Sequence, residues 1–192
     1  MHATKPRLGH KIAVACALIT IVSFIALFAK SLTLDPKKVP SPLVGQNAKS
    51  FHVKMLQGAD LVMKHPSDTL ELQDLLGSPV VLNFWASWCG SCAEEAKIFE
   101  EFWEAHKNEG IKVLGVAVHD QAAAVMDFVK YVGKTYAIAL DEEGRAALNY
   151  GVTGVPETVF IDRSGLVVHK ESGPVTRPML EAMLAKLTGK ST

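Results

Sequence analysis

Hydrophobic and polar positions divide the chain into three regimes. Residues 12–29 are apolar but for Thr20 and Ser23 and carry no charge: Ile-Ala-Val-Ala-Cys-Ala-Leu-Ile-Thr-Ile-Val-Ser-Phe-Ile-Ala-Leu-Phe-Ala. As a helix this run would span about 27 Å, close to the thickness of a hydrocarbon core. Residues 32–42 follow, with Pro36, Pro40 and Pro42, and read as an extended tether. From Leu43 onward, short strand-like and helix-like segments alternate to the end.

Within that third regime, residues 51–56 and 61–63 predict the strands of an N-terminal hairpin around Gly58, and residues 70–76 a short helix ended by Gly77. Residues 79–85 are almost continuously apolar, as in a central strand covered on both faces. Residues 94–107 predict a helix whose buried stripe is Ile98, Phe99, Phe102 and Trp103. The next strand, 111–118, should run parallel to 79–85 by the right-handed crossover rule. A helix over 122–132, a strand over 136–140 and a helix over 143–150 come next. Residues 157–162 and 166–171 flank the turn signal Asp162-Arg163-Ser164-Gly165, and an amphipathic helix over 178–187 closes the chain. This order predicts an α/β sandwich with a mixed sheet.

Lys5, Arg7 and Lys11 precede the long apolar run and Lys30 closes it. It exceeds the usual signal-peptide core of about 7–15 residues, and Leu27-Phe28-Ala29 is a poor small-x-small cleavage site. A retained signal-anchor is therefore expected: residues 1–11 a cytoplasmic tail, 12–29 the transmembrane segment, 30–45 the tether and 46–189 the folded domain. Lys30, Lys37 and Lys38 nearly balance the positive charges ahead of the run, so the inward-facing N-terminus rests on likeness to a signal-anchor rather than on charge. Cys16 reads as a small membrane-buried residue. Over the whole chain 20 Lys and Arg match 20 Asp and Glu, and no basic stripe is present, which excludes nucleic acid as a partner.

Chemistry concentrates where the strand 79–85 ends. Trp88-Cys89-Gly90-Ser91-Cys92 places two thiols three residues apart, directly before a helical pattern. Cys89 should then sit at a helix N-terminus, where free N–H groups and the macrodipole favour a thiolate. Cys92, one turn on, can close a disulfide with it. A structural zinc site needs four ligands, and neither a second cysteine pair nor a spaced histidine pair is available. Haem attachment needs His at the position of Ala93. A disulfide over so short a loop adds little stability. The pair reads as a dithiol for exchange, with copper(I) or zinc binding as the competing class and no cofactor expected.

The stretch Phe84-Trp85-Ala86-Ser87-Trp88-Cys89-Gly90-Ser91-Cys92 resembles the active-site segment of thioredoxin-fold proteins, and Tyr150-Gly151-Val152-Thr153-Gly154-Val155-Pro156-Glu157-Thr158 resembles their cis-proline loop. The N-terminal anchor, Leu43-Val44-Gly45 ahead of the hairpin, Asn83 in place of a buried Asp, and Glu157 in place of Thr make the chain similar to the membrane-anchored TlpA/ResA/CcmG (DsbE) group. The resemblance covers about residues 43–188. It implies a thioredoxin fold, a central mixed sheet flanked by helices with an N-terminal β-hairpin extension. It also implies reduction of protein disulfides outside the cytoplasmic membrane, often in apocytochrome c before haem attachment, with a membrane reductant donor of the DsbD/CcdA type. Reduction of copper-site cysteines, or general oxidation or isomerisation, is the alternative. Gly90-Ser91 departs from relatives with proline inside the pair, so their redox poise does not transfer.

In that scheme Cys89 is the attacking thiolate and Cys92 the resolving thiol. Trp88 offers a flat contact or is an ordinary half-buried aromatic. Val155 presents its backbone to an extended substrate if Pro156 is cis. Glu95 either handles protons near Cys92 or stabilises the helix N-terminus. Glu157 is the second acid/base candidate, and its charge near Cys89 should make that thiol less acidic. Glu94 belongs to solvent, and His119 reads as a loop histidine.

Overall fold

The computed structural model describes residues 8–32 and 41–189. Helix α1 (Leu8–Leu32) holds the apolar run, and its stretch Lys11–Ser31 is long and apolar enough to cross a membrane. Thr20 Oγ1 returns a hydrogen bond to the Cys16 carbonyl one turn back. Residues 1–7 of the expected tail and 33–40 of the expected tether lie outside the described residues.

The second unit is one seven-stranded sheet with helices on both faces. In chain order it comprises β1 (His52–Gln57), α2 (Ala59–Val62), β2 (Thr69–Glu71), α3 (Leu72–Leu75), β3 (Val80–Trp85), α4 (Gly90–His106), β4 (Lys112–Val118), α5 (Ala122–Val132), β5 (Ala137–Asp141), α6 (Arg145–Asn149), β6 (Glu157–Ile161), β7 (Val167–Ser172) and α7 (Arg177–Thr188). The strand order is β2-β1-β5-β4-β3-β6-β7. β3, β4 and β5 run parallel, β1 and β6 flank them in the opposite direction, and the edge strands β2 and β7 are antiparallel to β1 and β6 respectively. This is the mixed α/β thioredoxin-like sheet that the sequence predicts.

Two expectations change. Leu70 and Glu71, expected in a helix over 70–76, belong to β2, with α3 confined to Leu72–Leu75. Residues 61–63 do not form the hairpin partner of β1; β2 does, pairing His52 with Glu71 and Lys54 with Thr69. Gly58 takes a left-handed conformation (φ 67°) that turns the chain straight into α2, so Leu61 and Val62 belong to a helical turn. An apolar run this short carries no period that separates strand from helix.

The pleat of β3 sorts the interior into two layers. Val80, Leu82 and Phe84 point to one face, where they pack with α2, α3 and α6. Val81 and Trp85 point to the other, beneath α4, α5 and α7. Asn83 shares the parity of Val81 and Trp85, so a polar side chain projects under α4. On β6 the same alternation sends Val159 and Ile161 to the first layer and Phe160 to the second. Residues 41–48 lie along the β6–β7 turn, with Gly45 N donating to Val167 O and Ala48 N to Gly165 O. The last residues assigned to the tether are thus bonded to the domain.

Candidate active site

β3 ends at Trp85, and four residues later Cys89 is the N-cap of α4. Its Sγ accepts the Cys92 N–H at 3.2 Å, which satisfies one of the amides left open at a helix start. The two cysteines are joined in a disulfide (S–S 2.19 Å, Cα–Cα 5.3 Å). Cys89 keeps 8% exposure and Cys92 none. One sulfur is at the rim and the other is sealed.

The turn between β3 and α4 is fixed from the end of β4. Asp120, itself buried, accepts from Ser87 N at 2.6 Å, Ser87 Oγ at 3.0 Å and Gln121 N at 2.8 Å. His119 adopts a left-handed backbone (φ 50°), and its carbonyl accepts the Trp88 indole N–H at 3.3 Å. Trp88 is thereby held with 66% of its surface in solvent next to the disulfide. His119 sits in a loop, as its lack of spaced partners suggested, and acts here through its backbone.

The Val155–Pro156 peptide is cis, as the resemblance implied. Val155 O lies 3.6 Å from Cys89 Sγ, which brings the proline loop against the disulfide. Glu157 starts β6 on the same face as Phe84, its register partner, and so on the opposite side of the sheet from Val81 and Trp85. There it pairs with Lys170 Nζ at 2.7 Å and accepts from Thr153 N, Thr153 Oγ1 and Gly154 N at 2.9, 3.1 and 3.3 Å. Lys170 also donates to Tyr150 O and Gly151 O at 3.0 and 2.6 Å. The loop 150–154 is therefore held at both ends by one buried ion pair. The expected field of an unpartnered Glu157 charge at Cys89 is offset by Lys170.

Glu95 goes inward. It is 2% exposed, and its hydrogen bonds run to Asn83 Nδ2 (3.0 Å) and Val175 N (3.1 Å) rather than to first-turn amides of α4. Asn83 Nδ2 also reaches Thr158 Oγ1 at 3.1 Å. Burial raises the Glu95 carboxyl pKa above its ordinary value, opposed by those two hydrogen bonds and by the charge of Lys134. Cys92 and Glu95 lie one turn apart on the buried side of α4. Glu94 is exposed.

Three contributors have no motif to announce them: Asp120, Lys170 and Lys134. Lys134 is 5% exposed, with Nζ 3.5 Å above the Trp85 ring. Desolvation brings it down to about 7 against the fields of Glu95 and Glu100. Among the described residues no cluster of three or more His, Cys, Asp or Glu is placed to hold a metal ion.

A family model described as Redoxin matches residues 43–186. The thiol:disulfide interchange protein DsbE of Allochromatium vinosum is 35% identical over 163 residues, covering 83% of this chain and 84% of that protein. The thiol-disulfide oxidoreductase ResA of Bacillus thuringiensis subsp. konkukian is 31% identical over 145 residues, covering 76% and 79%. Among solved structures, that of MTB dsbF in mixed oxidized and reduced forms matches with a TM-score of 0.61 at 33% identity, over 71% of this chain and 94% of that one. A disulfide at a helix start, facing a cis-proline loop and aligned along most of its length with such relatives, settles the class of chemistry: the chain belongs to the Redoxin family and is a thiol-disulfide oxidoreductase of the DsbE/ResA type.

Proposed function

We propose that this chain is a membrane-tethered, extracytoplasmic disulfide reductase whose substrates are protein disulfides, apocytochrome c CxxCH pairs first among them. A membrane reductant donor of the DsbD/CcdA type returns it to the dithiol. The observation that carries the reading is the apposition of Cys89 Sγ and Val155 O at 3.6 Å. An extended substrate pairing with the Val155 backbone brings its disulfide to the rim sulfur. The Cys89 thiolate attacks that disulfide, forming a mixed disulfide and releasing one substrate thiol. Cys92 then gives its proton to Glu95 and attacks Cys89 Sγ; the second substrate sulfur leaves as a thiolate with the bonding electron pair, which completes the two-electron reduction of the substrate and leaves the Cys89–Cys92 disulfide. Trp88 supplies the exposed apolar contact. Glu157 holds the docking loop in shape from the far side of the sheet.

Reduced full-length protein should reduce an oxidised CxxCH peptide faster than a peptide from a copper-site loop. The reverse order would favour the oxidase-assembly reading. The helix α1 carries the membrane part of the proposal, with the domain from residue 46 outside the cytoplasmic membrane. Protease added to intact spheroplasts should remove that domain, and a protected domain would end the maturation role.

The role of Glu95 predicts a pH profile. The carboxyl must be ionised to accept the Cys92 proton, so resolution of the mixed disulfide should speed up as pH rises through its elevated pKa. Glu95→Gln should lose this limb and slow resolution by about 10²-fold or more, while leaving attack by Cys89 nearly unchanged. Stopped-flow measurement of the two steps separates them, and an unaltered limb would remove Glu95 from proton transfer.

A further inference from the structure

Lys134 follows Gly133, the residue that ends α5, yet its side chain turns into the core instead of into solvent. Its ammonium faces Trp85 of β3 at 3.5 Å, Phe128 of α5 at 5.5 Å and Tyr136 just before β5 at 5.6 Å, measured to ring centroids. Among the described residues no carboxylate oxygen lies within 4.0 Å of it. Aromatic faces stabilise a desolvated cation, but they do not neutralise it. A buried ammonium without a contact partner is costly and needs a reason.

Its electrostatic neighbours supply one. Two carboxylates of α4 act on Lys134, Glu95 first and Glu100 second, and the Tyr136 hydroxyl belongs to the same cluster. Glu100 is occupied at the surface, where it accepts from Thr135 N at 2.8 Å and Thr135 Oγ1 at 2.6 Å. Glu95 is the carboxylate that shares the interior with Lys134. Glu95 sits one helical turn beyond the sealed thiol Cys92.

We infer that Lys134 is a positioning residue of the exchange reaction: the buried counter-charge that keeps Glu95 ionised and ready to receive the proton of Cys92. The inference rests on the proton-accepting role proposed for Glu95. In the resolving step, Cys92 S–H gives its proton to the Glu95 carboxylate, and the Cys92 thiolate forms the bond to Cys89 Sγ as the bond to the substrate sulfur breaks. The electron pair departs with that sulfur. Lys134 forms no bond in this step and acts only through its charge, which it holds below its lowered pKa of about 7. When Glu95 carries a negative charge, the positive charge of Lys134 offsets it through space, so the low-dielectric site accommodates the acceptor form. Without the cation, Glu95 remains protonated to higher pH and accepts the proton only above it.

The test uses the full-length chain in detergent with 13C-labelled glutamate carboxyls. Lys134→Met fills the same aromatic-lined space with a flexible apolar chain, and Lys134→Arg keeps the charge. In Lys134→Met the Glu95 carboxyl should titrate on the order of one pH unit higher than in wild type, and the pH limb for mixed-disulfide resolution should move up with it. Lys134→Arg should retain the wild-type position. The reciprocal measurement needs no change at Lys134: in Glu95→Gln, the Lys134 ammonium, followed through its 15N signal, should titrate lower than in wild type. An unmoved Glu95 titration in Lys134→Met, or an unmoved Lys134 titration in Glu95→Gln, overturns the inference whatever the activities. If both titrations move but the kinetic limb survives Glu95→Gln, the coupling stands as an electrostatic fact and the proton-transfer role of both residues falls.

Discussion

Cys92→Ser, mixed with an oxidised protein substrate, should accumulate a stable one-to-one mixed disulfide through Cys89, whereas Cys89→Ser should form no adduct and show no turnover. The asymmetry follows from position. Cys89 is the partly exposed N-cap, set where the helix start stabilises a thiolate, and Cys92 is fully enclosed. A serine at 92 leaves the first attack intact and removes only the group that resolves it. Non-reducing gels and mass spectrometry of the adduct read the outcome. Wild-type turnover by Cys92→Ser would reverse the assignment of attacking and resolving sulfurs.

The largest stability effect should come from the opposite side of the sheet. Lys170→Met leaves Glu157 buried with its charge unpaired and takes the donor from Tyr150 O and Gly151 O. Removing one member of such a pair costs about 3–5 kcal/mol. Adding Glu157→Gln should restore a large part of that loss, because a neutral amide still offers an oxygen to Thr153 N and Gly154 N. Urea denaturation of the single and double variants gives the coupling directly. A loss below about 1 kcal/mol in Lys170→Met would mean that the pair is not what holds the proline loop.

The reactive pair and its frame could be read from the chain because each is locally encoded. The apolar run of β3, the two cysteines ahead of a helical pattern and the Gly-Val-Pro loop all lie within short windows. What escaped depends on register or on tertiary approach. Lys170 is the clearest case. Simple alternation from Val167 would place His169 and Glu171, not Lys170, on the face of Glu157. The register slips between Phe160 and Ile161, so that Ile161 pairs with Val167 but Phe160 with His169, and the extra residue swings Lys170 to that face. Nothing in the sequence marks the slip. Lys134 is hidden for another reason: a lysine after a helix-ending glycine reads as solvated, and its inward turn is set by Trp85, Phe128 and Tyr136 from three separate elements. Glu95 was legible as a candidate by its spacing from Cys92, but its choice between helix start and interior required Asn83 and Val175 to be in place.

The alternation along β3 and β6 has a consequence for how such a protein can change. Glu95 and Lys134 lie on one side of the sheet, Glu157 and Lys170 on the other, and the strands between them act as a bulkhead. Substitutions that reshape the proline loop therefore need not disturb the electrostatics behind the sealed sulfur. In a reductase of the kind we propose, client recognition at the loop and proton handling behind the sheet become separately adjustable properties of one scaffold.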